Sequence, residues 1–169
     1  MKAAITIDLD TLNDYAYTYG LKHHRNPDPV YTKSVPRILK ILKKHKIKAT
    51  FFVVGRDLNV PQHYKIIKRI KSNGHEIANH SFNHHHNFDT LPNRIQKKEI
   101  ISCHKIVKDK LKIEMAGFRA PGYNISEYSK KVLGEKKYLY DSSVFPTSLL
   151  PVLKLSTVFI SRHSRFQEP

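Results

Sequence analysis

A chain of 169 residues with 40% apolar and 26% charged side chains has the size of one domain with a sizeable core, and this balance excludes a disordered or membrane-spanning polypeptide. No stretch approaches the length of a transmembrane helix, residues 1–10 carry two acids instead of a long apolar run, and Cys103 has no second cysteine to pair with, so the expected compartment is the cytoplasm. Thirty Lys and Arg against fourteen Asp and Glu give a formal charge of +16, which favours polyanions such as nucleic acid, anionic lipid headgroups and phosphorylated saccharide carriers. The lysines are spread over segments such as KILKKHKIK and KEIISCHKIVKDKLK, which read as solvated helix faces. No base-reading motif accompanies them, so no specific nucleic-acid partner is expected and any contact should be weak and salt-sensitive.

Residues 2–9 alternate apolar and polar and end at the aspartates, which predicts a strand. Residues 11–33, rich in Tyr, His, Asn and Pro without a period, predict a long loop. Ser34 reads as an N-cap with Pro36 in the first helical turn and Val35, Ile38, Leu39 and Leu42 as the buried stripe. Ala49 to Val54, closed by Gly55, predicts a buried strand. A helix opens at Pro61 with Tyr64, Ile67 and Ile70 inward and stops at Asn73-Gly74. Glu76 to Asn79 predicts a short strand running into the histidines. Thr90 and Pro92 introduce a helix with Ile100, Cys103, Val107 and Leu111 on one face. Met115 to Arg119 is strand-like, Ser126 caps a helix ending near Gly134, and Tyr138 to Val144 is a further strand. Strand and amphipathic helix alternating in this way predict an α/β protein with a parallel sheet, either a barrel or a doubly wound open sheet.

Two groups of residues carry chemistry. His80 and His84, four apart, face one way if they lie on a helical turn, and Asp8 and Asp10, two apart, share one face of a strand. Two imidazoles and a carboxylate make a three-ligand site for a divalent metal with positions left for water and substrate, and a second carboxylate beside it can take a proton. That combination reads as a metal-dependent hydrolase. The bland alternatives are a pair of helix-surface histidines and an aspartate pair capping a helix before Thr11. His85 and His86 are expected to point away as solvated or rim residues, His75 to be a loop-end hydrogen-bonder, Glu76 to be structural, and Cys103 to be a buried filler.

In order and spacing, Thr6-Ile7-Asp8-Leu9-Asp10, Ala49-Thr50-Phe51-Phe52-Val53-Val54-Gly55, Gly74-His75-Glu76-Ile77-Ala78-Asn79-His80-Ser81 through His84, Gly117-Phe118-Arg119-Ala120-Pro121-Gly122-Tyr123 and Tyr140-Asp141-Ser142-Ser143 resemble the motifs of the polysaccharide deacetylases, the NodB-homology group of carbohydrate esterases, over residues 3 to about 146. The resemblance implies a distorted (β/α) barrel with fewer than eight units. It implies that Asp10, His80 and His84 bind a divalent metal, zinc by preference, that Asp8 is the general base, and that Arg119 orients or tunes Asp8. It further implies hydrolysis of an N-acetyl or related acyl group on a saccharide or lipid-linked saccharide. Backbone N–H groups after Pro121, in the Gly122 and Tyr123 region, are placed to meet the oxyanion. Asp141 pairs with Arg119 or with a late histidine of the family, or is a plain N-cap.

Two departures stand out. Many members have adjacent aspartates, whereas here Leu9 separates them, and a strand favours the spaced version because alternate residues share a face. The late histidine that serves as general acid has no clear counterpart, since His163 in Ser161-Arg162-His163-Ser164-Arg165 lacks the flanking apolar strand. A single catalytic domain spanning residues 1–169 and missing its last β/α units is therefore expected, with a non-catalytic, metal- or glycan-binding remnant as the alternative function and a basic nucleic-acid-binding protein as a third. Residues 146–161, apolar with a basic end, read as an amphipathic lid or a contact for a lipid-linked substrate at an anionic membrane surface, or else as an unfinished core element.

Overall fold

The computed structural model describes residues 3–19 and 27–144; residues 146–161 and His163 lie outside them. Five parallel strands form one sheet in the order β1 (Thr6–Asp8), β2 (Thr50–Val53), β3 (Glu76–Asn79), β4 (Gly117–Phe118) and β5 (Tyr140–Asp141). Neighbours in space are neighbours in sequence throughout, which is the singly wound order of a (β/α) barrel; a doubly wound sheet would reverse direction at a switch point. Helices α1 (Leu12–Tyr19), α2 (Val35–Lys44), α3 (Pro61–Ser72), α4 (Asn93–Leu111) and α5 (Glu127–Glu135) occupy the crossovers. None of the described helices is long and apolar enough to cross a membrane.

The alternation of side chains along the strands sorts the core from the site. Phe51 and Val53 of β2 and Ile77 of β3 join Leu9, Leu39, Leu42, Ile67, Ile70, Cys103, Val107 and Leu111 in the main apolar cluster under the helices. A second cluster of Phe88, Ile100, Phe118, Ala120, Val132 and Leu133 seats α5 against α4 and β4. Phe52 lies opposite Asp8 in the β1–β2 register and Ala78 in the β2–β3 register, so these residues line the other face of the sheet. Leu9 is fully buried in the main cluster, which leaves Asp8 and Asp10 on the concave side, as the intervening apolar residue requires.

Helix ends follow their sequence signals in most places. The Ser126 hydroxyl accepts from the Ser129 N–H, and Pro61 fills the first turn of α3. Helix α3 stops at Asn73, with Gly74 in the left-handed region at φ 73°. Three expectations need correction. Residues 11–33 are not all loop: Leu12–Tyr19 is helical and Val30–Ser34 is a π-helical turn. The start of α1 is a reciprocal cap, Thr11 N–H and hydroxyl on Asp14 Oδ2 at 2.7 Å each and Asp14 N–H on Thr11 Oγ1 at 3.2 Å, a Thr-x-x-Asp signature that outweighs the weak apolar period. Ser34 caps nothing, because its φ and ψ of −72° and −54° are already helical and α2 continues the π turn. Tyr64 is only partly buried on the inner face of α3, where His63 is the buried side chain alongside Ile67 and Ile70.

Candidate metal centre and the groups around it

The histidines do not sit on a helix. From His80 to Asn87 the chain is a loop pinned by its neighbours, with Ser81 at φ 62° and His84 at φ 57°. The pins come from three elements. Asn79, fully buried at the end of β3, accepts Ser81 N–H at 2.9 Å and donates to Ile100 O and the Tyr138 hydroxyl at 3.0 and 2.7 Å. Glu99 of α4 reaches in with one carboxylate to accept Phe82 N–H, Asn83 N–H and the Asn83 side-chain amide at 3.0, 2.6 and 2.7 Å. Gly55 and Arg56, just past β2, donate their N–H groups to Ser81 O and Phe82 O at 3.0 Å. A Cβ on Gly55 would lie 2.7 Å from the Phe82 ring and 3.0 Å from Cys103 Cα, so only glycine lets the loop and α4 close here. The corrected geometry still brings the imidazoles together, because two left-handed residues turn the chain as tightly as a helical turn would.

His80 Nε2 and His84 Nε2 stand 3.3 and 3.1 Å from one oxygen of Asp10, Oδ1. One ligand atom from each of the three residues lies within 4.8 Å of the others, and among the described residues no other His, Cys, Asp or Glu group meets this condition. His80 Nδ1 is 2.7 Å from the Arg119 carbonyl oxygen, which leaves Nε2 as the bare nitrogen facing Asp10. Asp10 Oδ1 and His84 Nε2 are buried without a hydrogen-bond partner. Buried polar atoms left in this way are costly, and a cation between them removes the cost. The donor set of two imidazoles and one carboxylate therefore fits a divalent ion. Burial disfavours charge on Asp10, yet the His80 and His84 imidazoles outweigh it and hold the carboxyl well below the usual range. Burial likewise opposes a charged His80, and Asp10 overcomes it, so the His80 pKa is raised.

Asp8 occupies a separate position on the same side. Arg119 Nη1 donates to Asp8 Oδ1 at 2.6 Å and the Tyr123 hydroxyl is 3.3 Å from Oδ2. Arg119 is itself fixed: Nη2 donates to Thr6 Oγ1 and Ser142 Oγ at 3.0 and 2.8 Å, Nε to Ser142 O at 3.2 Å, and the guanidinium lies 4.1 Å from the Phe52 ring centroid. Pro121 opens a short 3-10 turn in which Gly122 takes φ 65° and the Tyr123 N–H donates to Ala120 O at 3.1 Å. Tyr123 thus faces the site through its hydroxyl, while its N–H donates within the turn. For Asp141 the contacts fit the local-cap reading. Its Oδ1 accepts Ser143 N–H and hydroxyl at 3.2 and 2.5 Å, and Ser143 Oγ accepts Ala120 N–H at 2.7 Å, so Asp141 braces the turn before Pro121 while Ser142 is the residue that meets Arg119.

The remaining histidines divide. His75 Nδ1 accepts Ala49 N–H at 3.2 Å, and Glu76 accepts the Thr50 and Tyr140 hydroxyls at 2.6 and 2.9 Å, so both serve the strand ends as expected. Cys103 is fully buried and burial pushes its thiol far up, as suits a filler. His86 does not point away: its ring meets that of His84 edge-on at 4.8 Å between centroids. Asn79, Glu99, Arg56 and Asp14 shape the site and were missed from sequence. A carboxylate on the apolar stripe of α4, one residue before Ile100, was the available signal for Glu99.

Comparison with known proteins bears on the family and the fold. A family model described as polysaccharide deacetylase matches residues 26–140. The chain is 32% identical over 112 residues to a peptidoglycan-N-acetylglucosamine deacetylase of Bacillus cereus, covering 66% of this chain and 49% of that one. It is 36% identical over 110 residues to a peptidoglycan-N-acetylmuramic acid deacetylase of Bacillus subtilis, covering 65% and 40%. The crystal structure of a Mycobacterium smegmatis protein assigned to the polysaccharide deacetylases superposes with a TM-score of 0.68 at 26% identity, over 84% of this chain and 50% of that one. The chain thus spans about half the length, or less, of the relatives it matches.

Proposed function

The chain belongs to the polysaccharide deacetylase family, and from that premise we propose that it is a metal-dependent hydrolase that removes an N-acetyl or related acyl group from an amino sugar in a saccharide or lipid-linked saccharide. The observation that carries the reading is the convergence of Asp10, His80 and His84 on one point beside an Asp8 carboxylate held by Arg119. A divalent ion, zinc by preference, held by those three residues would supply Lewis acidity toward the acyl oxygen and the attacking water.

The chain's own groups do the rest. Asp8 takes the proton of the attacking water, and the same proton is then available to the departing amine nitrogen. Arg119 fixes the Asp8 carboxylate in direction, with one oxygen in the ion pair and the other turned toward Tyr123. The turn at Pro121 and Gly122 lines the substrate side. The formal charge of +16 supports a substrate borne on a phosphorylated carrier or at an anionic surface, since long-range attraction raises the local concentration of such partners.

The test is acetate release from N-acetylglucosamine oligomers with zinc supplied, compared with the Asp8→Asn variant. Expected are zinc binding by both chains and release by the parent at least about a hundredfold faster than by the variant. Zinc binding with equal release by both chains would remove Asp8 from the chemistry, and no zinc binding by either would remove the metal site.

A further inference from the structure

We propose that Asp14 is a positioning residue for the metal centre, holding the His84 ring in the orientation and tautomer that presents Nε2 to the ion; the inference rests on the metal reading above. The two histidines are treated alike by the fold on one side and differently on the other. Each turns Nε2 to Asp10 Oδ1, and each needs a partner for its far nitrogen. For His80 that partner is a backbone carbonyl, Arg119 O. For His84 the facing group is Asp14 Oδ1, 3.7 Å from Nδ1. The His84 side chain is 1% exposed, and its Nδ1 has no hydrogen-bond partner. At 3.7 Å the carboxylate oxygen faces the ring nitrogen just beyond hydrogen-bond distance.

Asp14 is built to stay in place. Its side chain is 2% exposed, Oδ2 accepts the Thr11 N–H and hydroxyl at the start of α1, and Oδ1 forms an ion pair with Arg56. Arg56 also donates from Nη1 to Asn83 O at 2.8 Å, so one guanidinium ties the carboxylate to the loop that carries His84. His86, edge-on to His84, fills another side of the ring. Capping α1 needs only Oδ2, and Oδ1, paired with Arg56, also faces His84 Nδ1. A carboxylate on the far nitrogen of a ligating imidazole fixes the tautomer, and its loss costs about 10- to 100-fold in metal affinity.

The experiment measures zinc affinity of the full chain by competition with a chromophoric chelator, and the d–d spectrum of the cobalt-loaded chain, for the parent, Asp14→Asn, Asp14→Ser and Thr11→Val. Asp14→Asn keeps the shape, Asp14→Ser keeps a cap acceptor too short to reach His84, and Thr11→Val weakens the cap while the residue 11 N–H and Arg56 still hold the Asp14 carboxylate. Both Asp14 variants should lose about 10- to 100-fold in affinity with an altered cobalt spectrum, while Thr11→Val lowers the melting temperature and keeps affinity within about twofold. Parent-like affinity in either folded Asp14 variant, or an equal loss in Thr11→Val, overturns the role. Absence of zinc binding by the parent is a different failure, that of the metal site itself.

Discussion

Two buried clusters in this chain use the same residue types for opposite ends. At the tips of β1 and β3, Asp10, His80 and His84 leave an oxygen and a nitrogen unpartnered and aimed at one point. Beneath α1 and α3, Asp28, Tyr31, Asp57 and His63 direct most of their polar atoms at backbone and hydroxyl partners. Asp28 accepts Leu12 and Val30 N–H at 2.9 Å each, His63 Nε2 accepts Asp28 N–H at 3.0 Å, and the Tyr31 hydroxyl donates to Asp57 at 2.8 Å while its ring stacks on His63. In the second cluster His63 Nδ1 alone is unpartnered, with Asp57 Oδ1 3.9 Å away, and among the described residues no third ligand atom joins the two. Convergence of unsatisfied atoms separates a site from a strut; the presence of His and Asp does not.

The largest effect that tests this contrast is on metal. Replacing His80 and His84 together by alanine should abolish tight zinc binding and the zinc-dependent rise in melting temperature, whereas Asp57→Asn should leave both in place. Calorimetric titration and thermal melts with and without zinc decide it, and full stoichiometry in the double variant would move the site elsewhere. Next in size is Glu99→Ala, which strips three donors of the histidine loop of their acceptor and should cost about 3 kcal/mol in denaturant unfolding. A cost no greater than that of an exposed substitution would mean that the loop holds itself.

The smallest effect concerns pH. Burial pushes the Asp57 carboxyl up to about 7, with the Tyr31 hydroxyl pulling the other way and Asp14 adding to the rise. The folded chain therefore holds this proton more tightly than the unfolded chain. Its contribution to stability is full below the unfolded value of about 4 and is lost as pH rises through 7. Asp57→Asn has no such proton to lose, so its stability relative to the parent should improve between pH 5 and pH 8 by on the order of 2 kcal/mol. A gap that does not change with pH would mean that Asp57 is ionised throughout.

The sequence made the strands and the convergent residues legible because both rest on local periods. Leu9 between two aspartates, the apolar stripe of α4 and the Ser126 cap each declare themselves within a few residues. What stayed hidden depends on distant partners. The loop at His80 carries no helix, because Asn79 and Glu99 fix it from outside through contacts that spacing alone does not encode. Helix α1 was hidden for a related reason: its apolar face is slight, and its start is set by the polar exchange of Thr11 and Asp14 and by Asp28 sixteen residues on. Asp141 shows the local cap that its neighbours suggest, whereas the contact to Arg119 falls to Ser142, which spacing does not single out.

The Arg119–Asp8 pair joins strands that are not neighbours, since β2 and β3 lie between them, and it links residues 111 positions apart. Contacts of such separation carry a large loop-closure entropy and form only once the intervening units have docked. Asp8, Asp10, His80 and His84 all precede β4, and Arg119 follows it directly. The Arg119 carbonyl also meets His80 Nδ1 at 2.7 Å, so the docking of β4 orients the His80 ring and the Asp8 carboxylate in one event.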